Sequence, residues 1–266
     1  IMIVAAFATR WNTVAEMLIS LALAVASFGL LIRVMQQSDT KLIRRPVPGL
    51  YFLLSLVWFS TVQYENWLWG WQIQWFLSNA AVMCVVFAMT TLVKEAANAK
   101  LLYIALAGGV IAQYSLGNGV LVWPLLLTAL WYLKINKRII GITGLVALVS
   151  TGLYYIGYRS VQVQPSTEAM NVPVEFVLYF FAYLGRPLSY NPQLAALCGL
   201  AMTLIFSFGL GYLYLKHPNR FKKSLPWAFL GVFVLASAAA TAMSRLGFGA
   251  VTALTSRYST VSSLLL

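Results

Sequence analysis

Long apolar runs, separated by short polar or basic stretches, constrain the fold of this 266-residue chain more than any other feature. Apolar residues make up 61% of the sequence and charged residues 9%, whereas a soluble domain carries roughly 25% charged residues. So few charges cannot cover a surface that faces water. We therefore expect the chain to fold in a lipid bilayer. The composition excludes a disordered protein, a collagen-like repeat, a disulfide scaffold and a nucleic-acid-binding module.

The apolar runs predict an all-α fold, a polytopic transmembrane helix bundle with about eight full crossings plus a re-entrant or interfacial segment. The crossings are expected at about 17–35, 50–63, 71–93, 101–116, 120–133, 139–158, 193–215 and 227–244. The run 176–185 would form a helix of only about 15 Å, half of a bilayer core, so we predict that it is the re-entrant or interfacial segment. Residues 1–266 are expected to form a single transmembrane domain that is truncated at both ends, because both ends lie inside apolar runs.

The basic residues predict which loops face the cytoplasm. The chain has 18 Lys and Arg against 6 Asp and Glu, a net charge of +12. Alternate loops, at 33–45, 94–100, 134–138 and 216–223, hold 13 of these basic residues, and the other loops hold five arginines. The positive-inside rule therefore places the first set in the cytoplasm. We expect a multi-pass protein of a bacterial inner membrane.

The stretch 63–75 is unusual because it holds four of the nine tryptophans beside several polar residues. Tryptophan prefers the membrane interface, so an interfacial belt is one interpretation. Glu65, Gln72 and Asn79 recur every seven residues, and one continuous helix would align them in a stripe. Amides at membrane depth face the bundle interior or water. They form either hydrogen bonds between helices or the polar wall of an outward-open cavity suited to a sugar.

Candidate site residues lie on the predicted outer side. Glu65 is the candidate catalytic residue, because desolvation by tryptophan faces would favour proton uptake from a hydroxyl nucleophile; an exposed interfacial carboxylate is the alternative. Residues with aromatic rings or amides are the candidates for substrate binding: Trp67, Trp69, Gln72, Asn79, Asn118 and Tyr190. Guanidinium groups bind phosphate oxygens bidentately, so three outer arginines are candidates for binding a lipid phosphate: Arg186, Arg245 and Arg257. Contact with ordinary headgroups is their alternative role.

Metal and disulfide sites are not predicted. Cys84 and Cys198 each lie within an apolar run, where a thiol behaves as a small hydrophobic group. His217, the single histidine, lies in a basic loop without the companion ligands that a metal needs. The sequence does not indicate a cofactor.

Four motifs together resemble a family of uncharacterised bacterial polytopic membrane proteins that is loosely similar to type C glycosyltransferases. They are the run from Gln63 to Gln72, Gly117-Asn118-Gly119 with Trp123-Pro124, Gly185-Arg186-Pro187-Leu188, and Ser256-Arg257-Tyr258. The resemblance implies transfer of a sugar from a polyprenyl-phosphate donor on the extracytoplasmic face, and the outer arginines would fit the phosphate role. Type C enzymes carry their acidic catalytic residue in the first outer loop, after the first helix. If the chain is truncated at its start, as we expect, that loop is missing from this sequence, and the resemblance assigns no catalytic residue.

Two other functions remain open on the sequence. A transporter or flippase would use the polar stripe to line a pathway, although its charged residues would ordinarily lie near the bilayer midplane. A non-catalytic subunit of a larger membrane assembly would use helices rich in small residues to pack against a membrane protein partner.

Overall fold

The computed structural model describes residues 7–38, 48–94, 99–159 and 172–266. Within these ranges 88% of the residues are helical and no strand forms, so the all-α class is confirmed. The helices are α1 (Thr13–Gln37), α2 (Pro48–Trp58), α3 (Tyr64–Leu68), α4 (Ile73–Leu92), α5 (Ala99–Ser115), α6 (Val122–Tyr132), α7 (Lys137–Tyr155), α8 (Pro173–Gly185), α9 (Pro192–Lys216), α10 (Pro218–Arg245) and α11 (Ser259–Ser262). Short 3-10 turns lie at Thr61–Gln63, Gly70–Gln72 and Gly117–Leu121, and further turns run from Leu246 to Tyr258.

Asparagine and proline residues determine where several long helices begin. The Asn12 side chain accepts a hydrogen bond from the Val14 N–H at 3.0 Å and caps α1. Asn191 caps α9 in the same way, and Asn136 caps α7. These side chains satisfy N–H groups that the first helical turn leaves unpaired. The chain therefore turns at fixed points between its apolar runs.

Five helical stretches of the described chain are long and apolar enough to cross a membrane: Thr13–Gln37, Gly70–Leu92, Lys137–Tyr155, Pro192–Lys216 and Pro218–Phe248. They correspond to five of the eight predicted crossings. The predicted crossing at 50–63 ends as a helix at Trp58, after 11 residues, because Ser60 caps a separate turn. The predicted pair at 101–116 and 120–133 forms helices of 17 and 11 residues. The count of eight crossings is therefore not confirmed.

The helices differ strongly in burial. In an apolar 18-residue stretch of each helix, 72% of the residues are buried in α4 and 67% in α10. The corresponding shares are 17% in α7 and 11% in α9. Helix α4 packs between α1 and α5, and α8 packs along α9 and against α10. The core lies around Met83, Leu126 and Phe233, which are almost fully buried. Helices α4 and α10 thus form the centre, and α7 and α9 expose apolar faces at the periphery.

The bundle has two distinct ends. At one end the Lys94 ammonium donates to the Gln37 carbonyl oxygen at 2.6 Å, and the Tyr132 and Phe221 rings lie 5.4 Å apart. These contacts bring together the loops in which most basic residues lie, and we call this the basic end. The opposite end, the outer end, carries the turns that follow α10. Three of the predicted cytoplasmic basic residues, at 41–45, lie outside the described residues.

Candidate functional site

The 3-10 turns after α10 bring the chain back into the bundle at the outer end. They run from Leu246 to Tyr258 and lead into α11. Gly249 permits the change of direction because its φ is +95°, a conformation that residues with a side chain rarely adopt. This segment, which we call the return segment (residues 246–262), contacts α3, α4, α8 and α10. It therefore joins parts of the sequence that are far apart.

Polar side chains of the return segment and of the stretch 63–79 form a buried cluster, the amide junction, which consists of Gln63, Asn66, Asn79 and Thr260. The Asn79 side-chain N–H donates to the Thr260 carbonyl oxygen at 2.7 Å. The Thr260 hydroxyl accepts a hydrogen bond from the Asn66 amide and donates one to the Gln63 side-chain oxygen. All four residues are at most 4% exposed. The side-chain oxygens of Asn66 and Asn79 have no partner.

The amide junction leaves little free space. A cavity of about 10 Å³ lies between Ser27, Trp58, Gln63, Phe76, Asn79, Thr260 and Ser263. That volume suits about one water molecule, and a sugar does not fit. Asn79, a candidate for substrate binding, therefore uses its side-chain N–H to join α4 to α11. This geometry fits the interpretation that the amides at membrane depth form hydrogen bonds between helices. It does not fit the polar wall of an outward-open cavity.

Glu65, the candidate catalytic residue, lies beside this junction. It is partly exposed, and its backbone N–H donates to the Ser256 hydroxyl at 3.2 Å. The predicted stripe of Glu65, Gln72 and Asn79 on one continuous helix is wrong, because α3 ends at Leu68 and Trp69 is extended. Gln72 lies just before α4 and Asn79 about two turns into it, and both are buried.

Just after this break, the backbone at Gly70 packs closely against α1. A Cβ atom at this position would lie 2.2 Å from a carboxylate oxygen of Glu16 on α1. Only glycine lets the backbone approach so closely. Glu16 itself is only 5% exposed. Its position in the first turn of α1 gave no indication that it would be buried.

The tryptophans of this stretch fall into two groups. Trp69 and Trp71 are 56% and 52% exposed, which is typical of residues at a membrane interface. Trp67 is partly buried: its indole N–H donates to the Ser60 carbonyl oxygen at 3.1 Å, and its ring lies 4.5 Å from the Phe76 ring. Trp67 therefore packs against Phe76. Of the two tryptophans proposed for substrate binding, Trp69 has the more accessible ring.

The other candidate substrate residues have three different environments. The Asn118 amide donates to the Thr241 hydroxyl of α10 at 3.1 Å. Gln72 is 1% exposed, and its side-chain oxygen has no partner. Tyr190 is exposed, and its ring lies 3.9 Å from the guanidinium carbon of Arg186. The structure thus brings Tyr190 to an arginine and leaves Asn118 outside the amide junction.

The three outer arginines have different environments. Arg186 is 1% exposed and donates from Nε to the Leu254 carbonyl oxygen of the return segment, while its buried Nη1 has no partner. Arg257 is partly exposed, and its buried Nε also has no partner. Arg245 is exposed and lies 5.7 Å from the Phe248 ring. Among the described residues, no carboxylate pairs with Arg186.

A second polar network was missed by the sequence interpretation. The Gln113 side-chain oxygen accepts hydrogen bonds from the Trp123 indole at 2.6 Å and from the Ser150 hydroxyl at 2.8 Å. The Gln113 amide donates to the Thr151 hydroxyl at 3.2 Å. The network joins α5, α6 and α7. A lone glutamine in an apolar run was the available signal, because buried polar groups in membranes need partners.

The part of the chain that the structure describes contains no group of three or more His, Cys, Asp or Glu side chains that could bind a metal ion. No protein-family model, curated protein or solved structure matches the chain. The resemblance to type C glycosyltransferases therefore stays a prediction.

Proposed function

We propose that the protein binds the phosphate of a lipid-linked sugar at its outer end and transfers the sugar to an acceptor. The observation that carries this proposal is the environment of Arg186. Its guanidinium is 1% exposed, has a buried Nη1 without a partner, and pairs with no carboxylate in the described chain. A buried cation without an anionic partner costs several kcal/mol, and the Tyr190 ring 3.9 Å away offsets only part of that cost. A phosphate oxygen at Nη1 would offset that cost with a charge-assisted hydrogen bond.

The return segment links the residues that this function needs. Arg186 is bonded to Leu254, and Arg257 lies three residues further along the same segment. The backbone N–H of Glu65 donates a hydrogen bond to the Ser256 hydroxyl in the same segment. The two arginines and the candidate base are therefore connected through one short segment of the chain.

The roles follow from the charges. The acceptor hydroxyl gives its proton to the Glu65 carboxylate, and its oxygen forms the new bond to the anomeric carbon of the sugar. The bond from that carbon to the phosphate oxygen breaks, and its electron pair leaves with the lipid phosphate. Arg186 and Arg257 stabilise the negative charge on the leaving phosphate. Rotation of the exposed Tyr190 ring, with movement of the return segment at Gly249, would admit the substrate.

The test measures binding of a polyprenyl phosphate to the purified full chain in detergent. Removing one charge-assisted hydrogen bond costs about 1.5–3 kcal/mol, so Arg186→Gln is expected to weaken binding by roughly 10- to 100-fold. Arg186→Lys keeps the charge but loses the planar fork and should give an intermediate value. Arg138→Gln is the matched control, because Arg138 is exposed at the start of α7 at the basic end.

Arg257→Gln covers the case in which the Arg186 variants do not fold. The Asn66 amide donates to the backbone carbonyl of Arg257 at 2.9 Å, and this bond does not depend on the side chain. We expect at least several-fold weaker binding with an unchanged circular dichroism spectrum. Glu65→Gln should stop transfer of a radiolabelled sugar without weakening phosphate binding. Wild-type affinity in a folded Arg257→Gln variant would refute the proposed phosphate site.

A further inference from the structure

A second and much larger cavity lies toward the basic end. Its volume is about 830 Å³, within the range of roughly 300–1,000 Å³ that is typical of small-molecule sites. Helices α1, α2, α9 and α10 line it together with the last residues of the chain. The lining is mainly apolar and includes Leu31, Leu54, Phe206, Leu230 and Leu265. This cavity differs in place and in chemistry from the amide junction.

Two loosely packed helices flank the cavity. Helix α2 has no buried residue, and α9 is the least buried of the long helices. Both are apolar, so their faces are expected to meet hydrocarbon wherever protein does not cover them. The space between α2 and α9 is therefore suited to an apolar chain from the surrounding bilayer.

Two charged residues line the cavity within the described part of the chain, and both are cations at the basic end. Arg220 and Lys223 lie in the first two turns of α10, and Ser224 adds a hydroxyl. One turn further along α10, the Trp227 indole donates to the Ser38 hydroxyl at the end of α1 at 3.0 Å. The N-terminus of a helix also favours an anion through its unpaired N–H groups. The cavity thus combines an apolar interior with a cationic rim.

We propose that this cavity binds one anionic phospholipid, with its phosphate at Arg220 and Lys223 and its acyl chains among the leucines. Basic pockets between transmembrane helices on the cytoplasmic side bind anionic headgroups, and the loops at this end carry most of the basic residues. A peptide is a poorer fit, because its backbone polar groups would have no partners in an apolar interior.

The test counts retained lipids by native mass spectrometry of the full chain, purified from vesicles with equal amounts of phosphatidylglycerol and phosphatidylcholine. We expect one phosphatidylglycerol to remain bound. The double variant Arg220→Gln/Lys223→Gln should lower the ratio of bound phosphatidylglycerol to phosphatidylcholine at least fivefold. The matched control is Lys216→Gln/Lys222→Gln, which removes the same charge from exposed residues outside the cavity lining and should leave the ratio unchanged.

A photoreactive phenylalanine analogue at position 54 identifies the occupant. A cross-linked adduct with the mass of one phospholipid supports the proposal. An adduct with polypeptide, whether from this chain or from a second copy, overturns it. Equal loss of phosphatidylglycerol in the double variant and its control would also overturn it, because general surface charge would then explain the preference. Neither experiment changes Arg186. A negative result would therefore overturn the lipid site without bearing on the function proposed for the outer end.

Discussion

The crossing of α8 and α9 gives a prediction whose magnitude follows from the structure. Gly199 on α9 lies so close to α8 that a Cβ atom there would be 2.0 Å from the Phe181 carbonyl oxygen and 2.9 Å from the Gly185 nitrogen. Both neighbours are backbone atoms, so no side chain can rotate away. To restore ordinary contact from 3.4 Å upward, the helices would have to separate by about 1.4 Å, and a gap of 0.5–1 Å already loses a quarter to a half of each contact energy. We therefore expect Gly199→Ala to lower the free energy of unfolding by about 1–3 kcal/mol.

Gly209→Ala is the matched control on the same helix. No atom lies within 4 Å of a Cβ at Gly209, so this change should stabilise the helix by up to about 0.5–1 kcal/mol. The assay is reversible unfolding of the purified protein by titration with sodium dodecyl sulfate in mixed micelles, followed by far-ultraviolet circular dichroism. The two variants should differ in sign. If Gly199→Ala is as stable as Gly209→Ala, then α8 and α9 do not cross at these glycines and the position of Arg186 loses its structural basis.

Three further predictions concern the polar networks and the sidedness. Gln113→Leu should cost about 1–3 kcal/mol, because it leaves the buried Trp123 indole N–H without an acceptor; the same unfolding titration measures it, and an unchanged midpoint would contradict the network. Thr260→Val should cost a similar amount, since the hydroxyl serves two amides of the junction, and native-state hydrogen exchange should increase in α3; unchanged exchange there would argue against the junction. Orientation can be tested with a membrane-impermeant maleimide in a variant whose two native cysteines are replaced by serine. The reagent should label Ala250→Cys from outside intact cells and Lys222→Cys only after lysis, because these exposed positions lie at opposite ends of the bundle. The reverse pattern would invert the proposed orientation.

Local patterns in the sequence predicted the membrane fold well. Hydrophobic length identifies α1, α4, α7, α9 and α10 because each helix satisfies its backbone hydrogen bonds within its own segment. The same patterns overestimated the short elements. An apolar run does not reveal whether a helix continues through it, as α2 shows by ending at Trp58.

The candidate site was predicted less completely, because its contacts are between distant parts of the chain. The sequence placed Glu65 and Arg257 in one group. In the structure, Glu65 and its neighbour Asn66 form hydrogen bonds with Ser256 and Arg257 of the return segment. The sequence did not indicate that Arg186 is buried, because its burial depends on the return segment, which is distant in sequence. The close approach at Gly199 had a local signal, because Ala195 and Gly199 form a small-xxx-small pair that is typical of tight helix crossings.

The amide junction also has a consequence for biosynthesis. Its hydrogen bonds join residues that are 181 to 197 positions apart, and a ribosome adds about 5–20 residues per second. Asn66 and Asn79 therefore enter the membrane on the order of 10–40 seconds before Thr260 is made. During that interval their side-chain amides must find temporary partners, such as water, other helices or an insertion chaperone. Translation speed over the second half of the message is thus expected to influence how much of the protein reaches its final assembly.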